Sequence, residues 1–244
     1  MNSILLEAEE LDDAGRASLR DHRAQHIREV LRVGSGRQLR VGVIDGPMGI
    51  GVVESMDTEC VVLRCELEDK TPPRPRVDLL LALPRPKVLK RMWAPLASIG
   101  VGRILLTNAW KVERNYFDTH VLRSEFYRAA LIEGLEQARD TRLPIVSIHK
   151  QLKVLLEDEL DFLVGDVKRL VADPAASDRV RDVVEVGCEK RALVAIGPEG
   201  GWIDDELQLL SRHGFARVGL GPRILRTEAA TITTLGLLHD RLWI

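Results

Sequence analysis

Leu220-Gly221-Pro222-Arg223-Ile224-Leu225-Arg226-Thr227-Glu228-Ala229-Ala230 and, earlier in the chain, Ile196-Gly197-Pro198-Glu199-Gly200-Gly201-Trp202 are the stretches on which the fold turns. Each follows a short apolar run and precedes a helix-like segment. Glycine at such a junction lets the backbone approach a ligand closely and present its N–H groups, so two such loops on adjacent strand ends build one pocket. Arg223, Arg226, Glu199 and Glu228 add charge to a region otherwise made of apolar residues.

Outward from these loops the chain alternates apolar runs with helical spacing, the signature of a parallel α/β sheet. The runs at 192–196 and 216–220 lead into the two loops. A last helix is expected from Thr227 or Glu228 to Leu242, with Thr227 as its N-cap. Upstream, strands are expected at 77–83, 103–107, 145–148 and 162–164, and helices at 87–99 and 124–139. Pro95 should kink or shorten the first of these helices. Residues 68–76, with Pro72, Pro73 and Pro75, read as a linker. Before it, 25–33 has an amphipathic helical pattern closed by Gly34-Ser35-Gly36. Short strands at 38–44, 49–54 and 60–67 suggest a small β-barrel.

Composition narrows the class. The 244 residues are 45% hydrophobic and 30% charged, so one or two globular domains with a real core are expected. No apolar run approaches a membrane span, and Met1-Asn2-Ser3-Ile4-Leu5-Leu6-Glu7 lacks the parts of a signal peptide, which points to the cytoplasm. Cys60, Cys65 and Cys188 form no CxxC pair and no histidine sits in a ligand spacing, so reduced thiols and no metal are expected. The net charge of −2 hides a biased distribution, with 27 arginines against 8 lysines. Arginines 16, 20, 23, 28, 32, 37 and 40 face only Asp21 and Glu29 in their segment, and no acid occurs from Leu79 to Val112. Arginine's planar fork suits phosphate and stacks on bases, which makes RNA a natural partner; a general arginine-rich composition is the plainer reading.

Three readings of the glycine loops compete. A nucleotide fold of the GxxxxGK[ST] or GxGxxG type is absent. Punctuation of turns accounts for either loop alone but not for the charges beside both. The third is ligand recognition, and here the two loops closely resemble the C-terminal signatures of the ribosomal RNA small subunit methyltransferase E family, within the SPOUT superfamily. Glu136-Gln137-Ala138-Arg139 and the segment from His26 to Gly36 resemble two further elements of that family, so the likeness spans nearly the whole chain. Residues 96–100 depart from it, because a lysine and a glutamate usual there are missing.

The resemblance implies a PUA-like RNA-binding β-barrel at 1–70 and a SPOUT domain at 71–244, a parallel sheet flanked by helices with a C-terminal trefoil knot. It implies a homodimer that transfers a methyl group from S-adenosylmethionine to N3 of a uridine in small-subunit ribosomal RNA, either free or within the 30S subunit. The cofactor would be held around Ile196, Gly197, Gly201, Leu220, Gly221, Ile224 and Leu225, with Val164 and Gly165 completing the pocket. The ionised N3 would need a cation, for which Arg226 is the first candidate and Arg223 the second. Glu199 or Glu228 would take the proton or orient an arginine. Glu228 in a first helical turn and Arg139 beside Glu136 also have purely structural readings. Arg20, Arg23, Arg28, Arg32, Arg85, Lys87, Arg91 and Arg139 would contact RNA. A non-catalytic ribosome-assembly factor, or a methyltransferase for another nucleotide, are the alternatives.

Overall fold

The computed structural model describes residues 3–243; Met1 and Asn2, part of the N-terminal stretch read above, and Ile244 lie outside the described residues. The chain forms two compact units, one made of the residues up to Arg74 together with Ile132–Leu143, the other of Pro75–Leu131 and the chain from Pro144 onward.

The first unit is a five-stranded sheet of β1 (Ile4–Leu6), β2 (Arg16–Leu19), β3 (Gln38–Val43), β4 (Met48–Met56) and β5 (Val61–Leu67), in the order β1-β3-β4-β5-β2. All its pairs are antiparallel except β1 with β3. Alternation buries Ala17, Leu19, Leu39, Val41, Val53 and Leu63 in one core, while Arg16 and Ser18 point outward. The helix expected at 25–33 is a short α1 (His22–His26) continued by a wider turn to Leu31. Arg32, at φ 51°, ends it in the left-handed conformation before Gly34 is reached. Ile132–Leu143 joins this unit through hydrogen bonds: Ser3 N–H donates to Glu136 O (3.1 Å), and the Thr141 hydroxyl to Gly46 O (2.6 Å).

The second unit is a six-stranded, wholly parallel sheet: β6 (Val77–Ala82), β7 (Val101–Thr107), β8 (Ile145–His149), β9 (Lys168–Ala172), β10 (Ala192–Ile196) and β11 (Ala216–Val218), in the order β11-β9-β10-β6-β7-β8. β6 and β10 are buried at every residue, as expected of central strands covered on both faces. Its helices are α2 (Pro86–Ile99), the first part of α3 (Ser124–Ala138), whose residues from Ile132 belong to the first unit, α4 (Leu152–Val154) running through a wide turn into α5 (Leu160–Val164), α6 (Val180–Val183), α7 (Asp204–Arg212) and α8 (Thr227–Leu242). α2 continues past Pro95 to Ile99. One expectation is overturned: 162–164 belong to helix α5, and the strand is β9, six residues later. Val164 points into the core at the end of that helix. A second concerns α8, whose N-cap position is Arg226; Thr227 is its first, buried residue, so its hydroxyl does not cap the helix.

Candidate functional site

The two glycine-proline loops leave the carboxyl ends of β10 and β11, where open parallel sheets bind their ligands. They converge on one cavity of about 390 Å³, within the range of small-molecule sites. Ile196 to Trp202 forms one wall, and Leu220, Gly221, Arg223, Ile224, Leu225, Thr227 and Ala230 another. A third loop, Ala172-Asp173-Pro174-Ala175 at the end of β9, closes it.

Local geometry explains the glycines. Gly201 (φ 70°) donates its N–H to Pro198 O at 2.8 Å, closing a tight turn, and Gly221 has φ 110°. Both conformations are open to glycine at little cost. No atom lies within 4 Å of where a side chain would begin at either residue, so bare backbone faces the cavity. Trp202 supports the floor from the core, 9% exposed. Within α8, the hydroxyls of Thr231 and Thr234 donate to the carbonyls of Thr227 and Ala230 (both 2.7 Å), so these two buried hydroxyls are satisfied by their own helix.

The RNA methyltransferase domain family model matches residues 71–239. The ribosomal RNA small subunit methyltransferase E of Treponema pallidum is 32% identical over 240 residues, covering 94% of this chain and 87% of that protein. The chain belongs to the ribosomal RNA small subunit methyltransferase E family. The Mycobacterium tuberculosis protein of the same name is 28% identical over 97% of this chain and 91% of its own. Among solved structures, a small subunit methyltransferase E from Neisseria gonorrhoeae bound to S-adenosyl methionine matches with a TM-score of 0.80 and 20% identity. It covers 98% of this chain and 97% of that one, and shares its fold.

Of the residues that likeness to the methyltransferase E family picked out, Ile196, Gly197, Gly201, Leu220, Gly221, Ile224 and Leu225 line the cavity together. Val164 and Gly165 are not in its lining: the helix they end lies before β9, and the cavity is met by the loop after that strand. Asp173 was not foreseen. It is 7% exposed, accepts the Ala175 N–H at 3.0 Å and forms an ion pair with Arg217, whose Nε lies 2.6 Å from its Oδ2. The Asp-Pro step after an apolar run was the available signal for this loop, masked because β9 opens with Lys168-Arg169.

The four charged candidates separate. Arg223 lines the cavity, whereas Arg226 does not. Arg226 has extended backbone (φ −67°, ψ 156°) between Leu225 and Thr227, both of which line the cavity, and is itself exposed. Neither arginine has an acidic partner among the described residues. Glu199 lines the cavity but its Oε1 accepts the N–H of Arg85, the residue at the head of α2, at 2.9 Å. Glu228 pairs with Arg91 at 3.1 Å, linking α8 to α2.

The proposed RNA contacts also divide. Arg20, Arg28 and Arg32 in the first unit, Arg85 just ahead of α2, and Lys87 and Arg91 on it keep exposed or half-exposed side chains. Arg23 is committed: its side chain is only 14% exposed and its guanidinium bonds Glu10, Asp21 and Leu5 O (2.8 Å). Its pKa is raised by the hydrogen bonds it donates to Glu10, and Glu10 is held below its ordinary value by the same contact. This arginine holds the first unit together, so its guanidinium is not available to a phosphate. Arg139 is exposed and closes α3 in the left-handed conformation (φ 57°). The two family-like segments of this unit do meet, because His26, Glu29, Glu136 and Gln137 line one cavity of about 420 Å³. Among the described residues, no group of three histidines, cysteines or acids is arranged to hold a metal, and no helix is long and apolar enough to cross a membrane.

Proposed function

We propose that this protein binds S-adenosylmethionine in the cavity of the second unit and methylates N3 of a uridine in small-subunit ribosomal RNA. The observation that carries the reading is the convergence of the two glycine loops on one cavity with backbone exposed at Gly201 and Gly221. Such a cradle fits a cofactor rich in hydrogen-bonding groups, held by the backbone around Ile196, Gly197, Gly201, Leu220, Gly221, Ile224 and Leu225. When bound, the cofactor supplies an electrophilic methyl group, so the protein's task is alignment.

N3 lies on the pairing edge of uracil, so the target must be unpaired or flipped out to be reached. It must also lose its proton, and the resulting charge spreads onto O2 and O4. Arg223, on the cavity wall and without an acidic partner, is now the first candidate to stabilise that anion; Arg226, beside the mouth, suits a phosphate. Glu199 and Glu228 serve better as organisers of α2 and α8 than as the base, given the donors they already accept.

The fold implied for this reading has two finer parts. A C-terminal trefoil knot is supported by backbone packing where the chain leaves β11: Gly219 N–H donates to Asp178 O at 2.7 Å, and a side chain at Gly219 would start 2.5 Å from Ala176 O. A PUA-like barrel is supported by the five-stranded sheet, with 1–70 as an RNA-binding domain and 71–244 as the methyltransferase domain. A cytoplasmic homodimer acting on the RNA or the 30S subunit completes the proposal.

Calorimetry with S-adenosylmethionine tests the cavity, and binding with one site per chain is expected. Mapping of small-subunit RNA from cells lacking the protein tests the reaction; one uridine should lose its N3 methyl group. Cofactor binding with an unchanged map would favour a non-catalytic assembly factor, the reading that the missing lysine and glutamate at 96–100 support. Loss of a methyl group from another nucleotide would correct the target.

A further inference from the structure

Trp110 is 79% exposed, yet the backbone that carries it is pinned on every side. Ala109 and Val112 close a turn, with Val112 N–H donating to Ala109 O at 3.0 Å. Both flanking side chains pack on the core of the second unit, so the turn itself is anchored by apolar contacts. Trp110 N–H donates to Glu206 Oε1 (2.7 Å) and Lys111 Nζ to Gly200 O (2.7 Å). The second bond ties the turn to the wall of the cavity, because Gly200 is part of its lining. Trp110 and Lys111 therefore occupy the two central positions of a fixed turn beside the cavity, with the indole in solvent.

An exposed indole on a fixed turn is an unusual use of the largest apolar side chain. Its surroundings favour an anionic partner. Lys111, Arg114, Arg85 and Lys87 lie on the same loops or on the head of α2, all exposed. Three of the nearby acids are engaged, Glu206 accepting from Trp110 N–H and Ile203 N–H, Glu199 from Arg85 N–H, and Glu113 from the Tyr116 hydroxyl at 2.9 Å, while Asp204 and Asp205 in the first turn of α7 are exposed. An aromatic face among cations is the arrangement on which unpaired bases stack while phosphates pair with the cations.

We infer that Trp110 is a stacking platform for an unpaired nucleotide of the RNA, next to the nucleotide that enters the cavity. This rests on the reading of the cavity as a methyl-transfer site. The platform is a positioning device: it holds a neighbouring base in place so that the target is presented splayed from its strand.

The test measures fluorescence anisotropy of a short, uridine-rich, fluorescein-labelled single-stranded RNA with the full protein, together with cofactor calorimetry. Trp110→Ala should weaken RNA binding about tenfold or more at every salt concentration, as loss of one base stack does. Trp110→Phe should retain most of the affinity, and neither variant should change cofactor affinity. Lys87→Ala should instead reduce the salt dependence of binding. Wild-type RNA affinity in Trp110→Ala overturns the platform. So does a change in sedimentation of that variant without RNA, which would make the indole a contact between copies of the chain. Because the RNA assay needs no turnover, failure of the platform is distinguishable from failure of methyl transfer, which the RNA map reports.

Discussion

Of the two arginines of the second glycine loop one lines the cavity and the other does not, which gives them different expected losses. Arg223→Ala removes a cation from the cavity wall and should lower kcat about a hundredfold, the typical cost of losing one donor to a developing anion. Cofactor affinity by calorimetry should stay unchanged. Arg226→Ala, outside the cavity lining, should raise KM for RNA and leave kcat nearly intact. Steady-state kinetics of the two variants decide it, and equal effects on kcat would remove the distinction. The same scale shows why charge alone misleads. Arg23 and Arg28 look alike in sequence, but Arg23 is folded onto Glu10 and Asp21 while Arg28 makes only a 3.3 Å bond to Asp57 O.

At the level of elements, the turn from β11 into the second loop is the tightest constraint on the cavity. A Cβ at Gly219 would sit 2.5 Å from the backbone oxygen of Ala176, in the loop that follows β9, and neither backbone can yield cheaply. Gly219→Ala should therefore destabilise the protein by about 1–3 kcal/mol, as overpacking does, and weaken cofactor binding with it. Gly236→Ala, in the middle of α8 with nothing within 4 Å of the added atom, should do the reverse and add about 0.5–1 kcal/mol. Urea unfolding of both variants checks the pair. Most elements were legible because period and punctuation agreed: α2 begins at Pro86 and α8 follows the second loop, close to the expected bounds. The run at 162–164 was misread because three apolar residues carry no period that separates a strand from the end of a helix. β1 and β2 were missed because three- and four-residue strands become strands only when β3 and β5 pair with them.

For the whole molecule, a ligand that binds only the folded cavity must raise the stability of whatever unfolding destroys it. S-adenosylmethionine at about a hundred times its dissociation constant should add about 2.7 kcal/mol. Scanning calorimetry should show the corresponding rise in melting midpoint, roughly 5 °C or more. Arg23→Ala, whose partners all lie in the first unit, should lower the baseline stability and leave that increment unchanged. The sequence by itself determined the parallel α/β class, the linker and the residues of both glycine loops, because strand period, proline and glycine act locally. Only the tertiary structure decided that Asp173 joins the cavity, that Glu199 and Glu228 are already bonded, that 132–143 belong with the first unit, and that Trp110 stands free on a pinned turn. Each depends on contacts between segments distant along the chain, and local pattern carries no record of which segments will meet.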